Sequence, residues 1–191
     1  KNKVFTIHNG VERSVKYFPK KYKEIIFIGR FVPEKGVSLY VNVIKKIAKN
    51  FPDWKFRLIG SSYLGSSKKQ TNFAKNIVMD FQKIGKQAMF DGFISSDEVQ
   101  KRMERASIII IPSLWEEPFG LVVAEAMSNG VGIITSNAGG IPEVIRDNGI
   151  IINEINEAKI KNALLNLLND PKKLRALQKL SWKNFKHTSE L

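Results

Sequence analysis

The sequence contains no cysteine and only two histidines. The first absence excludes a disulfide framework and a thiolate zinc site. The scarcity of histidine argues further against a structural metal cage. No apolar run approaches the roughly 18 residues needed to span a bilayer. Lys1-Asn2-Lys3 passes straight into Val4-Phe5-Thr6-Ile7, with no secretory hydrophobic region and no cleavage site. No G-x-G-x-x-G follows a strand-like run, and no Walker phosphate loop occurs, which argues against a dinucleotide cofactor. There is no internal repeat, no low-complexity linker and no block of five or six like charges of the kind that forms a nucleic-acid arm.

What is present is an ordinary globular balance: 191 residues, 43% hydrophobic and 26% charged. That is enough for one domain with a real core, spanning residues 1–191. The net charge of +13 suits an anionic partner, whether nucleotide, nucleic acid or acidic membrane surface. A lysine-rich coding bias accounts for it equally well. The lysines are scattered in short pairs such as Lys20-Lys21 and Lys172-Lys173. No recognition helix or aromatic stacking motif supports a nucleic-acid partner. A cytoplasmic domain is the expectation.

Short apolar runs alternate with helical spacing along the chain. Glu24–Gly29, Trp54–Ile59, Gln87–Phe90, Ile108–Ile111, Gly132–Thr135 and Gly149–Ile152 read as six strands, after a short strand at Val4–Ile7. The four isoleucines 108–111 show no alternation, so that strand is expected to be covered on both faces. Tyr40, Ile44, Ile47 and Phe51 fall on one helical face, as do Phe73, Ile77, Phe81 and Ile84. Ser95 and Glu98 form a capping box. Past Asn156 the chain is strongly helical, with a break and restart at Asp170-Pro171. Strand–helix alternation predicts an α/β fold: a Rossmann-like, doubly wound, mainly parallel six-stranded sheet with helices on both faces.

Three loops after strands can carry chemistry, because open α/β sheets bind ligands at strand C-termini. The first, Gly29-Arg30-Phe31-Val32-Pro33-Glu34-Lys35-Gly36, holds two cations that can converge on a diphosphate. It reads equally as a solvated basic turn. The second runs from Pro112-Ser113 through Glu117 to Met127 and opens a helix near Phe119 or Gly120, where helix-start amides attract phosphate. Glu125 lies inside its apolar stretch, so it either meets a ligand or partner or points to solvent. The third, Asn137-Ala138-Gly139-Gly140-Ile141-Pro142-Glu143, serves either tight packing or close ligand approach. Gly60–Ser67 has the composition of a ligand loop, and His8-Asn9-Gly10 reads as a turn.

Taken in order, His8-Asn9-Gly10-Val11, Gly29-Arg30 with Glu34-Lys35-Gly36, Asp91-Gly92-Phe93-Ile94, Pro112-Ser113, Glu117 with Glu125, and Gly139-Gly140-Ile141-Pro142-Glu143 resemble a known pattern. They resemble the C-terminal domain of the group 1 retaining glycosyltransferases (glycosyltransferase family 4), of GT-B architecture, from about Phe5 to about Asp170. The spacing of Glu117 and Glu125 around Phe119-Gly120-Leu121 is the most specific part. The resemblance implies that Arg30 and Lys35 bind the donor diphosphate and stabilise the leaving group, and that Glu117 binds the donor sugar hydroxyls. Arg30, Lys35 and Glu117 are thus the catalytic candidates. It implies donor-binding roles for Gly29, for the backbone at Phe119, Gly120 and Leu121, for Glu125 at the ribose, and for the backbone at Phe93 and Ile94 at the base. It implies no cofactor and no metal, and the sequence has no Asp-x-Asp to bridge a cation to a diphosphate.

The sequence departs from the family at Gly130-Val131-Gly132, where a Gly-x-Pro is common, and in a short segment at Asp147–Ile150. The expected substrates are a UDP- or GDP-linked sugar and a glycan or lipid-linked acceptor in surface polysaccharide or lipopolysaccharide assembly. The resemblance also implies an N-terminal acceptor domain outside this chain, with Trp182–Leu191 reaching back toward it. The isolated domain is then expected to bind donor without transferring sugar, either free in the cytoplasm or peripheral at the inner face of an anionic cell membrane. The alternative is a non-catalytic nucleotide- or sugar-binding module of the same fold.

Overall fold

The computed structural model describes residues 11–13, 15–61 and 71–185. The short strand at Val4–Ile7, the His8-Asn9-Gly10 turn and most of the Gly60–Ser67 loop lie outside them. Among the described residues, six strands form one sheet: β1 (Tyr22–Ile28), β2 (Lys55–Ile59), β3 (Ala88–Gly92), β4 (Ala106–Ile111), β5 (Gly132–Ser136) and β6 (Ile150–Ile152). Every pairing is parallel, in the order β3-β2-β1-β4-β5-β6. Among the described residues, seven α-helices connect and flank them: α1 (Val37–Ile47), α2 (Asn72–Gln82), α3 (Ser96–Arg105), α4 (Leu121–Ser128), α5 (Ile141–Ile145), α6 (Glu157–Leu168) and α7 (Pro171–Asn184). This is the doubly wound α/β sheet that the alternation predicts.

Strand alternation divides the interior into two cores. Ile25, Phe27, Phe56, Leu58, Ile108, Ile110 and Ile134 face α1, α2 and α6. Ile26, Ile109 and Ile133 face Met103 of α3, Val123 and Met127 of α4, and Ile141 and Ile145 of α5. Ile108, Ile109 and Ile110 have no exposed surface, so both faces of β4 are covered as its unalternating sequence predicts. Each such side chain contributes roughly 1.5–3 kcal/mol by leaving water. Tyr40, fully buried on α1, places its hydroxyl 3.0 Å from the Ile25 carbonyl and 2.9 Å from that of Arg57, pinning the helix to β1 and β2. The face spacing holds through Ile47, but the helix tightens into a 3₁₀ turn at Ala48–Asn50, leaving Phe51 just beyond it.

One local expectation is refined. The Ser95 hydroxyl accepts the Glu98 amide hydrogen at 3.4 Å. The Glu98 carboxylate, however, is held by Lys101 at 2.8 Å, a neighbour one turn along the exposed face. Asp91 opens one of the sequence motifs, and its carboxylate accepts from Arg57 at 2.5 Å and Arg102 at 2.7 Å. Arg57 also pairs with the buried Glu24. This polar network links β1, β2, β3 and α3 on the less apolar part of the sheet. Among the described residues, no helix is long and apolar enough to cross a membrane.

At the N-terminal edge of the sheet, Lys21 is half-buried just before β1. Its ammonium donates to the carbonyls of Met103 at 3.0 Å, Glu104 at 2.9 Å and Asn129 at 2.7 Å. These carbonyls lie in the last turn of α3 and just past the end of α4, where helices leave acceptors unsatisfied. One scattered lysine of the sequence is therefore a double helix cap.

Candidate functional site

The strand order reverses between β1 and β4. In an open parallel sheet the two loops leaving such a pair part to opposite faces, which opens a crevice above the strand ends. A cavity of about 290 Å³ lies there. Gly29, Arg30 and Lys35 enter it from the loop after β1, Ser113 and Glu117 from the loop after β4, and Gly120 and Leu121 from the start of α4. Its floor is apolar, from Phe27, Ile111 and Ile141.

Local backbone chemistry locks these loops together. Gly36 has φ +64, and a Cβ there would overlap the Pro112 carbonyl, so the first loop lies directly on the second. The Leu114 amide donates to the Glu34 carbonyl at 2.7 Å. Gly139, at φ +55, packs on the Glu117 backbone with no room for a side chain, and the Gly140 amide donates to the Glu117 carbonyl at 2.7 Å. The paired glycines thus serve tight packing: they hold the peptide that carries Glu117.

Electrostatically the cavity carries two cations and one anion. Lys35 pairs with Glu117, and the side chains are 25% and 15% exposed. The Ser113 hydroxyl, 2% exposed as a residue, lies 2.7 Å from the same carboxylate oxygen. Arg30 is exposed and has no ion-pair partner among the described residues. Gly120 caps α4 without a side-chain acceptor: the Val123 amide donates to the Gly120 carbonyl at 2.8 Å, while the Leu121 and Val122 amides before it have no side-chain cap. Cations, a braced carboxylate and open helix amides together suit an anion that also presents hydroxyls.

Not every sequence candidate enters this cavity. Glu125 is half-buried on α4, one turn beyond Leu121 and on the stripe it shares with Val122, which does line the cavity. Burial raises the Glu125 carboxyl above its ordinary range. Phe119 faces a neighbouring cavity of about 290 Å³ with Glu143, Arg146 and Lys183. Phe93, 78% exposed, and Ile94 lie just past β3, two strands from β1. At about 4.8 Å per strand, that is roughly 10 Å along the same sheet edge. Sequence reading missed the grip of Ser113 on Glu117 and the pairing of Lys35 with Glu117. Lys35 and Glu117 are each candidates, and Ser113 gives a signal as part of the Pro112-Ser113 motif, but nothing in the sequence joins them.

Residues 10–181 match the family described as glycosyl transferases group 1. An uncharacterised glycosyltransferase of Methanocaldococcus jannaschii is 32% identical over 193 residues, covering 95% of this chain and 51% of that protein. The lipopolysaccharide 1,2-N-acetylglucosaminetransferase of Salmonella typhimurium is 28% identical over 173 residues, covering 84% of this chain and 45% of that protein. The chain thus spans about half the length of the curated relatives it matches. Among solved structures, the C-terminal domain of a group 1 family protein (LpcC) from Francisella tularensis is similar with a TM-score of 0.73 and 27% identity, covering 87% of this chain and 85% of that one. Anabaena HepE, solved with UDP-glucose, has a TM-score of 0.72 at 20% identity over 85% of this chain and 43% of its own, a likeness of fold.

Proposed function

Because the chain belongs to the glycosyl transferases group 1 family, we propose that it is the donor-binding half of a retaining GT-B glycosyltransferase, working on a UDP- or GDP-linked sugar without a metal. The observation that carries this reading is the convergence of Arg30, Lys35, Glu117 and the start of α4 on one cavity at the sheet's reversal point.

In this reading the diphosphate lies across Arg30, Lys35 and the amides at Gly120 and Leu121, beside Gly29. Glu117 accepts hydrogen bonds from the sugar hydroxyls. Glu125, one turn deeper, receives the ribose hydroxyls, and the backbone at Phe93 and Ile94 holds the base. Phe119 shapes the wall between the two cavities. As the glycosidic bond breaks, negative charge grows on the departing phosphate. Fixed cations and helix amides lower the energy of that charge more than that of the intact donor. At an effective dielectric near 20, one charge pair about 4 Å apart interacts by roughly 4 kcal/mol before desolvation.

The length of the relatives supports a second half outside this chain, which would bring the acceptor and close the cavity. The acceptor class we favour is a glycan or lipid-linked sugar of surface polysaccharide or lipopolysaccharide assembly, the setting of the Salmonella relative. The basic surface suits work at an anionic membrane face, where each cation near the surface contributes about 1 kcal/mol. Intact Arg30, Lys35 and Glu117 in one cavity favour an enzyme over a non-catalytic binding module. Calorimetry of this domain with UDP, GDP and ADP, and with the sugar conjugate of each, tests donor binding. Saturable binding lost in Arg30→Ala and Lys35→Ala is expected. Absence of binding by every nucleotide, or binding indifferent to both variants, would overturn the assignment.

A further inference from the structure

In the free domain, one of the two cavity cations is already spoken for. Lys35 rests on Glu117, whose carboxylate also takes the Ser113 hydroxyl at 2.7 Å. Glu117 cannot follow Lys35 toward a ligand. Its backbone is held by Gly139 and Gly140, and its side chain by the buried Ser113. Lys35 is the mobile partner, on a flexible four-carbon stem that is 25% exposed.

A bare diphosphate must therefore draw the ammonium away and leave a poorly solvated carboxylate with only a serine. Stranding a partly buried charge in this way opposes binding. A diphosphate that carries a polyhydroxylated sugar brings its own donors to Glu117 and replaces the ammonium it removes. We infer that Ser113, Glu117 and Lys35 form an exchange device that selects a sugar-bearing nucleoside diphosphate over the bare one. This rests on the donor-cavity reading above and adds a consequence to it. Once the sugar has gone, Glu117 has lost its hydroxyl donors and reclaims Lys35, so the spent diphosphate is released rather than retained. Glu117 is thus a specificity determinant as well as a sugar contact, and Ser113 is a positioning residue that acts through it.

The test is calorimetry of the domain with UDP and UDP-glucose, or GDP and GDP-mannose if the uridine pair does not bind. Wild type should hold the sugar conjugate more tightly than the bare diphosphate. Glu117→Gln keeps the shape but removes the charge that competes for Lys35. It should bind the bare diphosphate roughly tenfold tighter, the scale of a coupled charge pair, and lose the added affinity for the conjugate. In the double variant Lys35→Met with Glu117→Gln, that gain should disappear relative to Lys35→Met alone. A readout free of any variant is the Glu117 carboxyl carbon resonance of wild type. It should move with bare diphosphate along the same saturation curve as the Lys35 side chain. A folded Glu117→Gln that binds bare diphosphate no tighter than wild type, or a Lys35 that shifts while the Glu117 carboxyl stays still, would overturn the exchange while leaving the donor site intact. Failure of every nucleotide to bind wild type would overturn the donor site itself, and the exchange with it.

Discussion

Lys21 and Lys35 stand at opposite ends of the same sheet, one just before β1 and the other in the loop after it, and their charges do different work. All three contacts of Lys21 are backbone carbonyls, at 2.7–3.0 Å. Burial pushes its ammonium down to about 7. Lys35 meets a carboxylate at the rim of a cavity and stays partly exposed. The first lysine fastens the ends of α3 and α4 to the base of the sheet. The second is held by an exchangeable partner where a ligand can reach it. At one edge the Lys21 amino group stabilises through its hydrogen bonds, although burial disfavours its charge; at the other the Lys35 charge is kept available. A net charge of +13 distinguishes neither.

The largest effect that would sharpen this contrast is on rate. In the full-length protein, Arg30→Ala and Lys35→Ala should each lower turnover about 10²–10³-fold, as loss of a leaving-group stabiliser does. Lys21→Met should leave turnover per folded molecule within about twofold, since the site it touches is remote. A comparable loss in Lys21→Met would break the contrast. Stability should show the reverse order. Lys21→Met strands three carbonyls and should cost about 1–3 kcal/mol in denaturant unfolding of the domain. Lys35→Met leaves the Glu117 carboxylate its Ser113 hydrogen bond and should cost less, about 1–1.5 kcal/mol, the scale of the tenfold exchange effect.

The pH dependence gives a smaller effect with a definite sign. The native Lys21 ammonium loses its proton near 7, while the unfolded one keeps it to about 10.5. Between these values the unfolded chain binds more protons, so stability from this group rises with pH and is lost as pH falls through 7. Denaturation midpoints should show this rise for wild type relative to Lys21→Met. A parallel pair of curves would contradict it.

The smallest effect concerns Glu125, whose carboxyl is raised by burial. The native state then favours the protonated form, so its penalty is absent at acid pH and grows as pH rises through the carboxyl range. Glu125→Gln should stabilise the free domain at neutral pH and leave its stability unchanged near pH 3, while weakening nucleotide binding. Destabilisation at neutral pH would show that the carboxylate has a structural partner.

How much of this the sequence reveals depends on how local the cause is. The Ile108–Ile111 run announces a doubly covered strand because burial on both faces needs no information from elsewhere. The loops after β1 and β4 announce themselves through Gly, Pro and charge. The pairing of Lys35 with Glu117 joins positions 82 apart, and no local pattern encodes it. Gly139-Gly140 is ambiguous in sequence because tight packing and ligand approach need the same missing side chain. Only the Glu117 backbone lying against it decides for packing. Lys21 reads as one more surface lysine until two helix ends meet above it. Glu125 is legible as unusual within an apolar stretch, yet its place one turn beyond the cavity follows only from where α4 begins.

The most direct test of the central claim is a map of backbone amide shifts in the isotopically labelled domain as UDP or GDP is added. The account places the largest shifts at Gly29–Lys35 and Ser113–Leu121, saturating together, with Lys21 and its neighbours still. Shifts centred on Lys21 or on the exposed face of α7, with Arg30 and Gly120 unmoved, would contradict it.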